Sequence, residues 1–262
     1  MSSPTANQRL TVRDLRKLKG ERPITALTSY DYPTAHIVDA AGIDIVLVGD
    51  SVGNVIYGHE DTLSVTLHDI IRHCQAVARG LSRAFLVADM PFMTYQVSAN
   101  QAVRSAGRLM AEGRAQSVKL EGGRNFCPQV KRIVEAGIPV MGHIGLTPQS
   151  VNQLGGYYMH GKSDEDRTRL MEDAILLQDA GCYSLVLECI KADLAEEITA
   201  ALDIPTIGIG SGTKTDGQIL VVNDLVGLNV GGVPRFVKPR ADVRSVMMTA
   251  IKEWIGDVRS GE

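Results

Sequence analysis

Three apolar runs, each delivering an acid, mark where this chain can do chemistry. They are Ile45-Val46-Leu47-Val48-Gly49-Asp50-Ser51, Ala84-Phe85-Leu86-Val87-Ala88-Asp89 and Ser117-Val118-Lys119-Leu120-Glu121-Gly122-Gly123. Each reads as a buried parallel strand whose last residues meet a loop, the place where an α/β barrel keeps its reacting groups. Carboxylates that converge without a matching set of His or Cys make a hard, oxygen-only site, which suits Mg²⁺ better than zinc or iron. A single Asp in such a loop is commonly a helix N-cap, and Asp50 and Asp89 are each open to that reading. Their recurrence after successive strands favours a metal-dependent site.

The remaining candidates follow the same positional logic. Glu188 ends the run Ser184-Leu185-Val186-Leu187 and enters the same rim, as a base over a C–H proton or, less favoured, as a salt-bridged layer residue. Lys119 and Glu121 are two apart on one strand, so they share a face with Leu120 opposite. Lys119 can steady a carboxylate or a developing oxyanion. Its alternatives are a structural Lys–Glu pair and a Schiff-base nucleophile, the latter disfavoured because nearby carboxylates keep the amine protonated. His143 precedes Gly145 and Pro148 at a strand end, where it can hydrogen-bond a substrate or shuttle a proton. Tyr30 and Ser51 offer hydroxyls at the mouth. His59, His68, His73 and His160 show no ligand spacing, and Cys189 reads as a packing residue turned away from Glu188. The run Gly208-Ile209-Gly210-Ser211-Gly212 reads as a tight rim turn, with a backbone phosphate cradle as its alternative. Residues 152–158, glycine-rich and polar, read as a mobile segment near the mouth.

These residues need elements to hold them. Strand patterns fall at 24–28, 44–48, 84–88, 117–120, 138–143, 184–187, 206–209 and, least clearly, 224–228. Between them, helical apolar spacing covers 67–79, 99–112, 128–136, 166–180 and 192–201, with a further helix at 11–17 before the first strand and a final one at 243–254. Ala41-Gly42, Ala136-Gly137 and Ala180-Gly181 each close a helix just before a strand, as a left-handed capping glycine does. No GxGxxG turn follows the first strand, so closure into a barrel is preferred to an open doubly wound sheet. The expected fold is α/β, a (β/α)₈ TIM barrel with an extra N-terminal helix.

Composition bounds the reading from outside. The chain has 262 residues, 44% of them hydrophobic, enough for one barrel of roughly 250 residues. No composition break marks a linker, so residues 1–262 read as a single domain. With 27 basic and 30 acidic side chains interspersed, no basic stripe exists to follow a nucleic acid. Residues 1–7 hold no apolar leader core, and no apolar run reaches membrane-spanning length. The expectation is a soluble cytoplasmic protein with neither nucleic-acid nor membrane partner. Four cysteines, Cys74, Cys127, Cys182 and Cys189, lack metal or disulfide spacing and read as reduced thiols.

Taken in order, the blocks make a more specific pattern: Thr28-Ser29-Tyr30-Asp31-Tyr32, Val48-Gly49-Asp50-Ser51, Gly58-His59, Ala88-Asp89-Met90-Pro91-Phe92, Val118-Lys119-Leu120-Glu121-Gly122-Gly123, Gly142-His143-Ile144-Gly145-Leu146-Thr147-Pro148-Gln149, Leu187-Glu188-Cys189 and Gly208-Ile209-Gly210-Ser211-Gly212. From about Leu15 to about Pro234 the chain resembles the ketopantoate (3-methyl-2-oxobutanoate) hydroxymethyltransferases of pantothenate biosynthesis. The resemblance implies a Mg²⁺-binding barrel that transfers a one-carbon unit from 5,10-methylenetetrahydrofolate, its co-substrate, to C3 of 3-methyl-2-oxobutanoate, giving 2-dehydropantoate. It also implies a homo-oligomer, often a decamer. Carried over by position, it places the metal site on Asp50, Asp89 and Glu121, with Glu121 either ligating directly or holding metal-bound water. It places substrate contacts on Asp50, Ser51, Asp89, Lys119 and His143, and the catalytic base, which forms the enolate, on Glu188. The chain departs from the family pattern at Ser211, where alanine is frequent and little change is expected, and in the tail from Lys238 onward.

Overall fold

The computed structural model describes residues 9–261; residues 1–7, read above as carrying no leader, lie outside the described residues. Eight strands, β1 (Ile24–Thr28), β2 (Ile45–Val48), β3 (Phe85–Asp89), β4 (Ser117–Glu121), β5 (Val140–Gly145), β6 (Ser184–Glu188), β7 (Thr206–Ile209) and β8 (Gly217–Leu220), form a closed barrel in sequence order. Every pairing from β1 to β8 is parallel. The α/β barrel expected from the sequence is therefore what the chain forms.

Helices α1 (Val12–Lys17), α2 (Tyr32–Ala40), α3 (Val52–Val55), α4 (Leu67–Gly80), α5 (Ala99–Ala111), α6 (Cys127–Glu135), α7 (Val151–Leu154), α8 (Asp164–Asp179) and α9 (Ala192–Ala201) fall between the strands or before them. Their starts are set by side chains. Asp31, Thr66, Ser98 and Ser163 each accept the third helical N–H of the helix that follows, satisfying a donor the helix itself cannot pair. Three of their ends share one device. After Ala41, Ala136 and Ala180 the glycine turns left-handed, with φ of +89°, +84° and +104°. Gly42 N–H then donates to Asp39 O and Ile43 N–H to Val38 O, a pair of bonds repeated after the other two helices.

The barrel interior is hydrocarbon at its amino end and polar at its carboxyl end. Ile45, Leu47, Phe85, Val87, Met141, Val186 and Ile207 pack together inside, and Leu15 of the extra helix α1 joins the same cluster. On β3 the inward positions run Phe85, Val87, Asp89, so two apolar layers support the acid. Asp44, just before β2, is held at the amino end by Arg22 and Arg83 at 2.8 and 3.0 Å. Burial opposes its charge, but the hydrogen bonds from Arg22, Thr25 and Arg83 outweigh that and depress its pKa to about 2.

One element differs from expectation. The eighth strand is not 224–228; it is Gly217–Leu220, and α10 (Val222–Val226) occupies most of the expected stretch. Asn223 and Asp224 suit a first helical turn, and Gly227 ends the helix at φ +69°, whereas Gln218-Ile219-Leu220 supplies the strand pattern. No helix lies between β7 and β8, which are joined by residues 210–216 alone. By contact the chain divides into two compact units, Met1–Ile219 and Leu220–Glu262. In the second, Arg240 N–H donates to Leu225 O and Arg244 N–H to Gly227 O, which leads into the long helix α11 (Val243–Ser260). Among the described residues no helix is long and apolar enough to cross a membrane.

Closure depends on a residue without a side chain. Ile24 N–H donates to Asp216 O, and a Cβ on the next residue, Gly217, would stand 2.4 Å from Ile24 O and 2.8 Å from Ile207 Cδ1. Gly217→Ala is therefore expected to lower unfolding free energy in urea by about 1–3 kcal/mol, a loss that unchanged denaturation midpoints would contradict.

Candidate active site

Strand register brings the acids together. Asp89 is the Cα partner of Lys119 across β3 and β4, Glu121 that of His143 across β4 and β5, and Gly145 that of Glu188 across β5 and β6. Lys119 Nζ lies 2.8 Å from Asp89 Oδ1, while the backbone N–H of Asp50 donates to Asp89 Oδ2 at 3.0 Å. His143 Nδ1 stands 3.5 Å from Glu121 Oε1, and its Nε2 stands 3.1 Å from Glu188 Oε2. That second approach is off the N–H axis, so Nε2 has a charged neighbour but no aligned hydrogen-bond partner. Lys119 Nζ stands 3.4 Å from His143 Nδ1. Asp50, Asp89, Lys119, Glu121, His143 and Glu188 thus form one connected set at the carboxyl end of the barrel. Ser51, beside Asp50, is held by the Tyr30 hydroxyl at 2.8 Å.

The alternatives left open by the sequence narrow here. Neither Asp50 nor Asp89 caps a helix: α3 begins after Ser51, and α5 after Ser98. Lys119 and Glu121 do share the inward face, each engaging a different partner. Burial works against the Lys119 charge, yet Asp89, Glu121 and Asp50 together outweigh it and raise the ammonium pKa. A Schiff-base nucleophile needs the neutral amine, so that role is disfavoured. For His143, burial and Lys119 lower the pKa, but its contacts with Glu121 and Glu188 prevail and raise it to about 9. A protonated ring donates at both nitrogens, which makes Lys119 a repelling neighbour of His143 and the two glutamates its attractive ones.

The rim is short of positive charge. Burial, then Asp89 and Glu121, push the Asp50 pKa up to about 8, and burial also raises that of Asp89 despite Lys119. A hard dication would supply the missing charge, so the donor set fits Mg²⁺ in kind. It fits as a partial shell: among the described residues no group of three or more His, Cys, Asp or Glu stands ready to hold a metal. Glu121 already faces His143 with Oε1 and accepts the Gln149 N–H at Oε2, 3.0 Å away.

Two residues of this site carried no role in the sequence reading. Gln149 lies in the Gly142–Gln149 block but between helix and loop patterns, and its side-chain amide donates to Asp50 Oδ2 at 2.8 Å. Tyr95 sits in a loop with no periodicity at all; its hydroxyl lies 2.9 Å from Gln149 Oε1 and 3.0 Å from Glu121 O. Ser211, expected to matter little, is buried, donates to Leu187 O at 2.8 Å and accepts Ile190 N–H at 2.9 Å. It fastens the backbone on both sides of Glu188, something an alanine cannot do. The surrounding Gly210 and Gly212 are left-handed, and a Cβ on Gly212 would stand 2.6 Å from Ala192 Cβ, in keeping with a tight rim turn. Cys189 has a left-handed φ of +50°, and burial, then Glu188, push its thiol up to about 12, consistent with an unreactive packing role. Residues 152–158 comprise the end of α7, Gly155 and Gly156 at positive φ, and two exposed tyrosines.

Residues 9–262 match the sequence profile of ketopantoate hydroxymethyltransferase. The chain belongs to the ketopantoate hydroxymethyltransferase family. It is an enzyme, a transferase. It is 54% identical to the 3-methyl-2-oxobutanoate hydroxymethyltransferase of Syntrophotalea carbinolica, over 97% of this chain and 96% of that protein. It is 52% identical to the protein of the same name from Oleidesulfovibrio alaskensis, over 100% of this chain and 91% of the other. Among solved structures its fold is similar to a phosphonopyruvate hydrolase, with a TM-score of 0.64 at 12% identity, covering 96% of this chain and 88% of that one. A phosphoenolpyruvate phosphomutase from Streptomyces platensis subsp. rosaceus superposes with a TM-score of 0.65, also at 12% identity, covering 97% and 89%. At those identities the likeness of this ketopantoate hydroxymethyltransferase family member to the two enzymes is one of fold.

The electrostatic imbalance has a measurable consequence in the cation-free protein. Asp50 binds its proton more tightly folded than unfolded, so its ionisation removes stability as pH climbs from about 4 to about 8. With chelator present at pH 7, Asp50→Asn is expected to raise the melting midpoint by at least about 2 °C and to flatten its fall with pH across that window. A midpoint lowered by the substitution at pH 7 would show the charge to be well compensated.

Proposed function

We propose that this chain transfers the one-carbon unit of 5,10-methylenetetrahydrofolate to C3 of 3-methyl-2-oxobutanoate as a hydroxymethyl group, water supplying the hydroxyl oxygen, giving 2-dehydropantoate and tetrahydrofolate, with Mg²⁺ at the acid rim. The observation that carries the reading is the convergence of Glu188, His143, Lys119, Asp89 and Asp50 at the barrel mouth of a member of this family.

Asp50 and Asp89 would hold the cation, with Glu121 acting through water, since both of its oxygens already face protein partners. When bound, Mg²⁺ supplies Lewis-acid polarisation of the oxygens of a 2-oxo acid. The chain's own residues do the rest. Lys119, kept cationic by its carboxylate neighbours, faces the negative charge that develops on the keto oxygen as the C3 proton leaves. Glu188 takes that proton, forming the enolate; water releases the one-carbon unit from its two folate nitrogens at the formaldehyde level, leaving tetrahydrofolate, and C3 bonds to it while Glu188 returns the proton to the new alkoxide. His143 sets its Nε2 3.1 Å from Glu188 Oε2, a charged neighbour with a donor not yet committed to a hydrogen bond. Ser51, steadied by Tyr30, adds a hydroxyl to the substrate's carboxylate end.

We extend the reading to a cytoplasmic homo-oligomer. What supports the oligomer is the final helix α11, none of whose residues is buried and on which Val246, Met247, Ile251 and Trp254 are all exposed apolar groups.

Two measurements test the chemistry. Exchange of the C3 proton of 3-methyl-2-oxobutanoate in D₂O, followed by NMR, is expected to require Mg²⁺ and to give way to 2-dehydropantoate once methylenetetrahydrofolate is added. Exchange that never yields product would move the chain to a lyase acting on a related 2-oxo acid. Glu188→Gln is expected to keep oxo-acid binding and slow exchange by about 10²–10⁴-fold; exchange at the wild-type rate would remove Glu188 from its role.

A further inference from the structure

Gln149 is 5% exposed, and its side-chain amide uses every hydrogen-bonding position it has. Its Nε2 donates to Asp50 Oδ2 at 2.8 Å and to Met90 O at 3.0 Å. Its Oε1 accepts from the Tyr95 hydroxyl at 2.9 Å and from Gln96 Nε2 at 3.1 Å. Its backbone N–H donates to Glu121 Oε2 at 3.0 Å. A primary amide has two donors and two acceptor positions, and all are taken. Exchanging its oxygen and nitrogen would set an oxygen against both the Asp50 carboxylate and a carbonyl, so the surroundings permit one orientation only.

We infer that Gln149 is a positioning residue that orients Asp50 with its side chain and Glu121 with its backbone amide, so that Asp50 addresses a cation at the mouth directly and Glu121 does so through water. Asp50 follows β2 and Glu121 ends β4, so β3 separates them and no direct bond joins them in the barrel wall. The residue that touches both arrives from the loop after β5. Each contact fixes one carboxylate oxygen and thereby the direction of the other: Asp50 is held at Oδ2, and Glu121 at Oε2 with Oε1 turned to His143. Tyr95 in turn sets the amide. Its hydroxyl lies between Gln149 Oε1 and Glu121 O and also accepts Glu121 N–H at 3.2 Å, tying the orienting amide to the strand that carries one of the acids it orients. A residue serving only to fasten the 146–154 loop would be satisfied by backbone carbonyls; this one ends on carboxylates of two separate elements. Supporting groups behind a metal site typically change cation affinity by about 10- to 100-fold when removed.

The inference rests on the cation reading proposed above, and the test separates the two. Mn²⁺ serves as the probe, with free ion counted by electron paramagnetic resonance, using the full chain without oxo acid. Gln149→Met keeps length and backbone amide while deleting every side-chain bond. Tyr95→Phe keeps Gln149 and removes the hydroxyl that sets it, a smaller change that serves if the first variant does not fold. Melting midpoints in chelator are measured alongside. The expected result is Mn²⁺ binding by the wild type, a loss of about 10- to 100-fold in affinity for Gln149→Met, and a smaller loss in the same direction for Tyr95→Phe. Wild-type affinity in both variants, with only the melting midpoint lowered, would make Gln149 a loop fastener and overturn the inference while leaving the cation reading intact. No Mn²⁺ binding by the wild type would remove both.

Discussion

A buried ion pair sets the terms for the rest of this molecule. Lys119 and Asp89 meet at 2.8 Å with side chains 6% and 4% exposed, where the cost of dehydrating two charges is comparable to what their attraction returns. Such a pair persists only if its surroundings complete it, and they do: the Asp50 N–H takes the second Asp89 oxygen, and Glu121 and Asp50 add further negative charge around the lysine. That arrangement requires β3 and β4 to keep the register that sets Asp89 beside Lys119, which in turn requires the apolar layers beneath. Losing one partner of a buried pair costs about 3–5 kcal/mol, so the register is held by chemistry as well as by packing.

Strand β2 shows the same residue type serving opposite ends. Asp44, before it, has its pKa held down to about 2, against the cost of burial, by hydrogen bonds from two arginines and Thr25; Asp50, after it, has its pKa pushed up to about 8 by burial and then by neighbouring carboxylates. The first contributes stability to the fold and the second detracts from it. A barrel whose amino end is compensated and whose carboxyl end is not has its unmet electrostatic demand confined to one rim.

Much of this is legible in the sequence, for physical reasons that also explain the gaps. Seven strands appear within two residues at either end of where periodicity puts them, because most of these buried parallel strands are continuous apolar runs and the three Ala-Gly pairs announce the starts of β2, β5 and β6. The eighth went astray because Gly217–Leu220 is short, opens on glycine and follows β7 without a helix between. The acids, Lys119, His143 and Glu188 were legible because a charge inside an apolar run is costly without a purpose. Gln149, Tyr95 and Ser211 were not. They are neutral, lie in irregular segments, and act through bonds to residues distant in the chain, which no local pattern encodes.

The repeated helix endings have one more implication. Because Gly42 and Gly181 deliver the chain to β2 and β6 in the same phase, residue 49 occupies on one strand the station that residue 188 occupies on the other. One station carries the glutamate; its counterpart is glycine, where a Cβ would stand 2.8 Å from Ser51 Oγ and 3.2 Å from Asp89 Oδ2. The symmetry of the barrel would give both stations a side chain, and the sequence omits one. The mouth is therefore lopsided by composition rather than by distortion: an acid stands on the β6 side, and bare backbone on the β2 side lets the Ser51 hydroxyl and the Asp89 carboxylate close in where a Cβ would stand.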